Sequence, residues 1–272
     1  MTATVPKTAP HAIAVFDIDG VIRDVGQSYR RALADTVEAF TNGQFRPTMA
    51  DIDAIKAEGS WNNDWLASQE FVYRFWEAKG RSRAEFALNY DELVLFFQKR
   101  YRGPNPEDST SWTGYICDEP LLVESRYFAQ LTQDNIAWGF FSGATPPSAK
   151  FVLTQRVGLV DPVLVAMNDA PEKPDPTGLQ MVVDRLAPSQ PHQPVFYAGD
   201  TAADMQTVLK ARKTSPDRPW IAVGILPPHA LADATTRDRY TATLQANGAD
   251  FVLPTVTDLT GDRIIHWLKA IG

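Results

Sequence analysis

Short apolar runs that end in polar loops constrain the fold of this chain more than any other feature. HAIAVF at 11–16 ends in Asp-Ile-Asp-Gly, NIAWGFFS at 135–142 ends in Ser-Gly, and VFYA at 195–198 ends in Gly-Asp. Weaker runs lie at 163–167, 221–225 and 250–253, and helical spacing is present at 148–157, 177–186, 202–211 and 258–271. Alternating strands and helices predict an α/β fold with a doubly wound parallel sheet.

The segment between residues 25 and 119 has a different pattern. Its apolar residues fall at helical spacing in three sets, at 29–40, 65–76 and 86–101. No strand-like alternation lies between these sets, so the segment is predicted to be helical. We therefore predict an α/β domain made of residues 1–24 and 120–272, with a helical domain of residues 25–119 inserted after the first strand.

Composition excludes several classes of protein. The 272 residues carry a net charge of −7 and are 44% apolar, which is ordinary for a globular chain with a sizeable core. We find no dense Lys/Arg cluster and no long apolar run, so we expect neither nucleic-acid binding nor a membrane span. A single cysteine, Cys117, and a start without secretory features predict a cytoplasmic location. The oligomeric state is not indicated.

Polar residues gather where the strands are predicted to end. They form four segments, namely Asp17-Ile18-Asp19-Gly20, Ser142-Gly143, Lys173-Pro174, and Gly199-Asp200 through Asp204. The carboxyl ends of parallel strands share one edge of a sheet, so the four aspartates would converge there. Such a cluster is costly unless a cation shields it, and oxygen ligands beside a phosphate favour Mg²⁺.

The other groups at this edge suit a phosphate substrate. Lys173 supplies a positive charge, and the hydroxyl of Ser142 with loop amides near Gly143 offers hydrogen bonds to phosphate oxygens. A carboxylate nucleophile, an acid, a metal ion and a lysine together suffice for phosphoryl transfer.

The segments DIDGV, FFSG, EKPDP and GDTAAD resemble the four motifs of the haloacid dehalogenase superfamily. The helical insert after the first motif resembles the C1-type cap of its subfamily I, which includes phosphoglycolate phosphatase-like enzymes. The resemblance covers nearly the whole chain. It implies a Rossmann-like catalytic core at 1–24 and 120–272 and a cap at 25–119.

The resemblance also implies a role for each motif residue. Asp17 would attack phosphorus and become an aspartyl-phosphate, and Asp19 would protonate the leaving alcohol and later accept a proton from water. Ser142 and Gly143 would bind the transferring phosphoryl group. Lys173 would bind the phosphate too and neutralise charge on it and on the nucleophile.

The implied metal ion is Mg²⁺, bound by the Asp200 and Asp17 carboxylates and by the backbone carbonyl of Asp19. Asp204 would act from outside the direct ligands, supporting a metal-bound water or orienting Lys173. Family dehalogenases lack an acid at the position of Asp19, because a halide leaves without a proton. The acid therefore implies phosphate esters as substrates rather than haloacids.

Two further features point to substrate selection and remain open. Arg23 stands three residues after Gly20, where it could reach a substrate anion or, as we favour, pair with Asp24. Trp61, Asn62 and Asn63 lie in a segment that could form the cap loop that selects the substrate. The alternative is a helix N-cap, with Asp64 as a possible capping residue, and packed tryptophans.

Together these patterns predict a magnesium-dependent phosphatase that acts on a small phosphorylated metabolite. Phosphoglycolate, a sugar phosphate and histidinol phosphate all remain open as substrates. A phosphomutase on the same scaffold is an alternative. A phosphonate hydrolase is another, with Lys56 as the nearest lysine for a Schiff base, and so is a non-catalytic binding protein.

Overall fold

The computed structural model describes residues 9–58, 61, 63–86, 88–188, 190 and 192–271. Two compact units are present among them, one within residues 1–24 and 120–272 and the other within residues 25–119. None of the described helices combines the length and the apolar character that a membrane crossing requires.

The first unit is built on a parallel sheet. Its strands are β1 Ala12–Phe16, β2 Ile136–Phe141, β3 Leu164–Val165, β4 Val195–Gly199, β5 Trp220–Ile225 and β6 Phe251–Leu253. They lie in the order β3-β2-β1-β4-β5-β6, and each neighbouring pair is parallel. The predicted doubly wound α/β sheet is confirmed.

Helices cover both faces of this sheet because the central strands are apolar on both sides. The helices are α5 Ser125–Gln133, α6 Pro146–Lys150, α7 Thr177–Leu186, α8 Ala202–Thr214, α9 Ala234–Ala246 and α10 Gly261–Ile271. On one face, Ile13 and Val15 belong to the core cluster that α7 and α8 complete. On the other face, Phe16 makes an edge-to-face contact with Phe128 of α5, with ring centroids 5.7 Å apart.

In the sheet, β1 lies between β2 and β4: the chain runs outward from β1 to β3 on one side, then crosses to β4 and runs outward to β6 on the other. In open α/β sheets this reversal opens a crevice beyond the carboxyl ends of the strands. The loops after β1, β2 and β4 begin at Asp17, Ser142 and Asp200. The fold thus brings three of the four predicted polar segments to one edge.

The second unit is helical. Its helices are α1 Tyr29–Phe40, α2 Met49–Ala57, α3 Asp64–Ala78 and α4 Tyr90–Tyr101. Helix α1 packs against α3 and α4, and the rings of Tyr29 and Tyr101 stack with centroids 4.3 Å apart. Asn63 caps α3 by accepting hydrogen bonds from the N–H groups of Trp65 and Leu66. The prediction that Asp64 caps this helix is wrong.

The prolines after the second motif have a structural explanation. Pro146 and Pro147 are the first two residues of α6, where a missing N–H costs no helical hydrogen bond and the fixed φ angle suits the helix. The helix continues as a π-helix over Phe151–Arg156.

Candidate active site

Lys173 lies between two carboxylates at the carboxyl edge of the sheet. Its Nζ is 2.9 Å from Asp17 Oδ2 and 2.7 Å from Asp204 Oδ1. The three side chains are nearly or fully buried, with exposures of 11%, 10% and 0%. Buried charged groups are stable only when they are paired. The two ion pairs that share Lys173 therefore hold its side chain in one place.

Asp200 brings a third carboxylate to the same point. Oxygen atoms of Asp17, Asp200 and Asp204 all lie within 4.8 Å of one another. Among the described residues, no hydrogen-bond donor reaches the Asp200 carboxylate. Three carboxylates lie close together, and that of Asp200 has no hydrogen-bond donor in the part of the chain that the structure describes. Such a cluster suits a hard divalent cation, because these cations bind oxygen ligands.

Asp204 differs from the other two because its oxygens are already used. Oδ1 accepts hydrogen bonds from Lys173 Nζ at 2.7 Å and from the Tyr197 hydroxyl at 2.8 Å. Oδ2 accepts from the Thr201 N–H at 3.0 Å and the Thr201 hydroxyl at 2.6 Å. Asp204 is therefore suited to orient Lys173 rather than to bind a cation directly.

Burial and the short distances between these charged groups shift the pKa values of Asp17, Asp200 and Lys173. Burial raises the pKa of the Asp17 carboxyl to about 7, with Asp204 and Asp19 adding to the increase and Lys173 opposing it. Burial also raises the pKa of Asp200 well above its usual value, and Asp204 and Asp17 contribute. Burial acts to lower the pKa of Lys173, but the carboxylates of Asp17 and Asp204 outweigh it and raise this pKa. A bound cation would remove the penalty on the two aspartates.

Gly20 is required where it stands. Its φ angle is +75°, a conformation that side chains disfavour, and a β-carbon there would overlap the Asp200 carboxylate. The loops after β1 and β4 therefore touch at this point, and glycine permits the contact.

Ser142 and Gly143 follow β2 on the same edge. The N–H of Ser142 donates to Val165 O at 3.0 Å, and its hydroxyl oxygen accepts from the Ala144 N–H at 3.1 Å. Gly143 is exposed, and a β-carbon added there would meet no atom within 4 Å. The loop has space for an anion beside its N–H groups.

Asp19 is held by Arg23. Arg23 Nε donates to Asp19 Oδ1 at 2.7 Å, and Nη2 lies 2.6 Å from the same oxygen. The Arg23 side chain is fully buried, whereas the Asp19 side chain is 29% exposed. Arg23 thus forms an ion pair with Asp19 in the structure, and the favoured pair with Asp24 stays a prediction.

Comparison with known families shows which protein family the chain belongs to. Residues 11–212 match the profile of the haloacid dehalogenase-like hydrolases. The chain belongs to this hydrolase family. The resemblance seen in the four motifs is confirmed.

Several solved structures share the fold of this chain. A hydrolase from Pseudomonas syringae has a TM-score of 0.58 and 17% identity, covering 96% of this chain and 99% of that one. A phosphatase from Thermococcus thioreducens has a TM-score of 0.60 and 22% identity, covering 78% and 92%. A phosphonoacetaldehyde hydrolase-like protein from Oleispira antarctica has a TM-score of 0.66 and 17% identity, covering 99% and 96%. At these identities the likeness concerns the fold.

One curated relative is closer in sequence. The imidazoleglycerol-phosphate dehydratase of Phytophthora nicotianae is 27% identical over 251 residues. The alignment covers 90% of this chain but 50% of the relative, so the chain spans about half the length of that protein.

Two residues of this haloacid dehalogenase-like hydrolase were missed by sequence reasoning. Tyr197 is fully buried in β4 and donates to Asp204, and Thr201 forms a capping box with Asp204 at the start of α8. A buried tyrosine needs a partner for its hydroxyl, so a tyrosine in the centre of VFYA was a usable signal. Thr-Ala-Ala-Asp after a strand has the spacing of a capping box, which was the other usable signal.

The proposed cap loop is only partly described. Asn62 lies outside the described residues. Trp61 Nε1 donates to Glu58 at 3.0 Å, and Asn63 caps α3. Lys56 forms an ion pair with Asp64 at 2.8 Å. For Asn63 the structure gives the local capping role, and selection of substrate by this segment stays a prediction.

Proposed function

We propose that this haloacid dehalogenase-like hydrolase is a magnesium-dependent phosphatase that hydrolyses a small-metabolite phosphate monoester through an aspartyl-phosphate on Asp17. The observation that carries the proposal is Lys173, held 2.9 Å from Asp17 and 2.7 Å from Asp204 beside the unpartnered carboxylate of Asp200. The helical unit of residues 25–119 would serve as the cap.

In the first half-reaction, an oxygen of the Asp17 carboxylate attacks phosphorus. The bond between phosphorus and the ester oxygen breaks, and the leaving alkoxide takes the proton carried by Asp19. Lys173 compensates the negative charge of Asp17 and of the phosphoryl oxygens, and Ser142 with the Gly143 loop donates hydrogen bonds to them.

In the second half-reaction, water attacks the phosphorus of the aspartyl-phosphate. Asp19, now a carboxylate, accepts a proton from this water as the new bond forms. The bond between phosphorus and Asp17 breaks, which restores the Asp17 carboxylate and releases inorganic phosphate. Asp19 then holds the proton that the next cycle needs.

The residues that would hold magnesium are Asp17, Asp200 and the backbone carbonyl of Asp19, with Asp204 supporting from outside. The cation, when bound, would neutralise charge on the transferring phosphoryl group. The unpartnered Asp200 carboxylate and its raised pKa support this assignment, since an isolated charged group in this position is otherwise costly.

The relative from Phytophthora nicotianae supports one choice among the open substrates. It is named for imidazoleglycerol phosphate, a phosphate monoester that carries an imidazole ring. We therefore place imidazole-bearing phosphate monoesters first, with histidinol phosphate among them, ahead of phosphoglycolate and sugar phosphates.

Phosphate release from a panel of these esters tests the proposal. We expect release in Mg²⁺ with at least one ester, and loss of that release in EDTA with recovery when Mg²⁺ is restored. Release that is unaffected by EDTA would contradict the metal assignment. If no ester yields phosphate, the phosphatase proposal is wrong, and transfer between sugar hydroxyls would then favour the mutase.

A second prediction concerns Asp200 and needs no substrate. Asp200→Asn should raise the melting temperature of the metal-free protein at neutral pH, because it removes a carboxylate whose charge destabilises the fold. A carboxyl whose pKa is raised in the folded state destabilises the fold increasingly as pH rises from its unfolded-state pKa toward its folded-state pKa. Below both pKa values it has no such effect, so the gain should disappear at low pH.

The same variant should lose the stabilisation by Mg²⁺. In the wild type, Mg²⁺ at a hundred times its Kd would add about 2.7 kcal/mol to the free energy of unfolding. At roughly 2–4 °C per kcal/mol, the melting temperature should rise by about 5–11 °C. Differential scanning fluorimetry in EDTA and in Mg²⁺ measures both effects. Asp184→Asn, an exposed change on α7, is the matched control. An Asp200→Asn protein that still responds to Mg²⁺ like the wild type would remove Asp200 from the metal site.

A further inference from the structure

The side chain of Arg23 is an unusual component of the site edge. It is fully buried, and its Nε and Nη2 both contact one oxygen, Oδ1 of the partly exposed Asp19. Among the described residues, the other carboxylate oxygen of Asp19, Oδ2, accepts no hydrogen bond. Arg23 therefore fixes one oxygen and leaves the second one available.

The backbone around Arg23 makes this arrangement rigid. The N–H groups of Ile22 and Arg23 donate to Ile18 O at 2.8 and 3.2 Å, and the Gly20 N–H donates to Arg23 O at 2.9 Å. Arg23 also forms an isolated bridge with Leu121, in the segment where the chain returns to the first unit. The loop thus folds back on itself, which brings the Arg23 guanidinium to the carboxylate of Asp19, four residues earlier in the chain.

Stability alone explains this pair poorly. A buried ion pair often contributes no more than apolar residues of similar volume, since both charges must be desolvated. A planar guanidinium, in contrast, orients a carboxylate better than most groups do. The arrangement is what a proton donor requires, with one oxygen anchored and the other directed by that anchor.

We infer that Arg23 is a positioning residue for Asp19, holding Oδ1 so that the proton on Oδ2 is delivered to the leaving oxygen when the bond between phosphorus and that oxygen breaks. This inference rests on the proposed function, because it assumes that Asp19 is the general acid. It assigns Arg23 a part in the first half-reaction that differs from binding a substrate anion.

The leaving group of the substrate separates positioning from a structural role. An alkyl phosphate must be protonated as it leaves, whereas 4-nitrophenolate leaves well without a proton. The constant kcat/KM covers only the steps up to formation of the aspartyl-phosphate, so it isolates the acid step. A residue that positions the acid should affect the alkyl ester more than the nitrophenyl ester.

We expect Arg23→Met to lower kcat/KM for an alkyl phosphate about 100-fold, within the range of general acid catalysis, and to lower the ratio of the alkyl to the nitrophenyl value at least about 10-fold. Arg23→Lys, which keeps the charge without the planar fork, should lie between Met and wild type. In an Asp19→Asn background, Arg23→Met should change the alkyl value less than about 3-fold, because there is no acid left to position.

Arg218→Met is the matched control, since Arg218 is a half-buried arginine of the same unit that bonds backbone carbonyls of Gln190 and Gln193. It should leave the ratio unchanged. Equal losses on both esters, or an undiminished loss in the Asp19→Asn background, would overturn the inference. If Arg23→Met does not fold, the ratio for Arg23→Lys decides in the same way. A wild type that releases phosphate from neither ester, by contrast, overturns the proposed function itself.

Discussion

Asp17→Asn is expected to reduce phosphate release from the best substrate by on the order of 10⁴-fold or more, while the protein stays folded. An amide oxygen is a far weaker nucleophile than a carboxylate, so no aspartyl-phosphate forms. The amide has the same size and can still accept a hydrogen bond from Lys173. Because the Asp17 carboxyl has a pKa of about 7, replacing it removes a charge that is costly in this position.

Two measurements check this expectation. Steady-state phosphate release gives the size of the loss, and circular dichroism confirms the fold. Wild-type protein quenched in acid during turnover should carry one phosphoryl group on the peptide that contains Asp17, and the variant should carry none. Asp184→Asn should behave like the wild type in both assays. Release within about 10-fold of the wild type would show that another residue is the nucleophile.

Lys173→Met is expected to have the second largest effect and to reduce both stability and turnover. The change leaves Asp17 and Asp204 buried without their shared cation, and breaking a buried ion pair costs about 3–5 kcal/mol. Mg²⁺ should restore part of this stability, because it would act on Asp17 but find both oxygens of Asp204 in use. Turnover should fall about 10²–10³-fold through lost charge stabilisation.

Urea unfolding in EDTA and in Mg²⁺ measures the stability change of this variant. Lys150→Met, at an exposed position in α6, is the control and should stay within about 0.5 kcal/mol of the wild type. An unchanged free energy of unfolding in EDTA would mean that Lys173 does not compensate the two carboxylates.

Sequence periodicity predicted the sheet because its strands are apolar and end at polar loops. The same reasoning missed α9, since Ala234–Ala246 is exposed along nearly its whole length and lacks a clear apolar stripe. It also missed α2, whose start depends on a capping box between Thr48 and Asp51 rather than on apolar spacing.

At the candidate site, sequence reasoning gathered Asp17, Lys173, Asp200 and Asp204, and the structure brings these four side chains together. The pairing of Arg23 with Asp19 could not be read from spacing, because it depends on the loop that turns back onto Ile18. The VFYA pattern marks Tyr197 as a tyrosine that needs a partner, but it does not identify Asp204, because the two residues meet only after β4 and α8 have packed. Contacts that depend on loop geometry or on the packing of two elements escape patterns that describe single elements.

The Asp204 side chain has one role in the candidate site and another in the start of α8. One of its oxygens holds Lys173 and the other closes the capping box that starts α8. A descendant that abandoned chemistry could keep this acid for the helix start alone, where Oδ2 accepts hydrogen bonds from the Thr201 N–H and hydroxyl. An aspartate at position 204 is therefore poor evidence that a homologue is an active enzyme. Asp17 and Lys173 close no capping box, and the loss of both together would be the better sign of a silent relative.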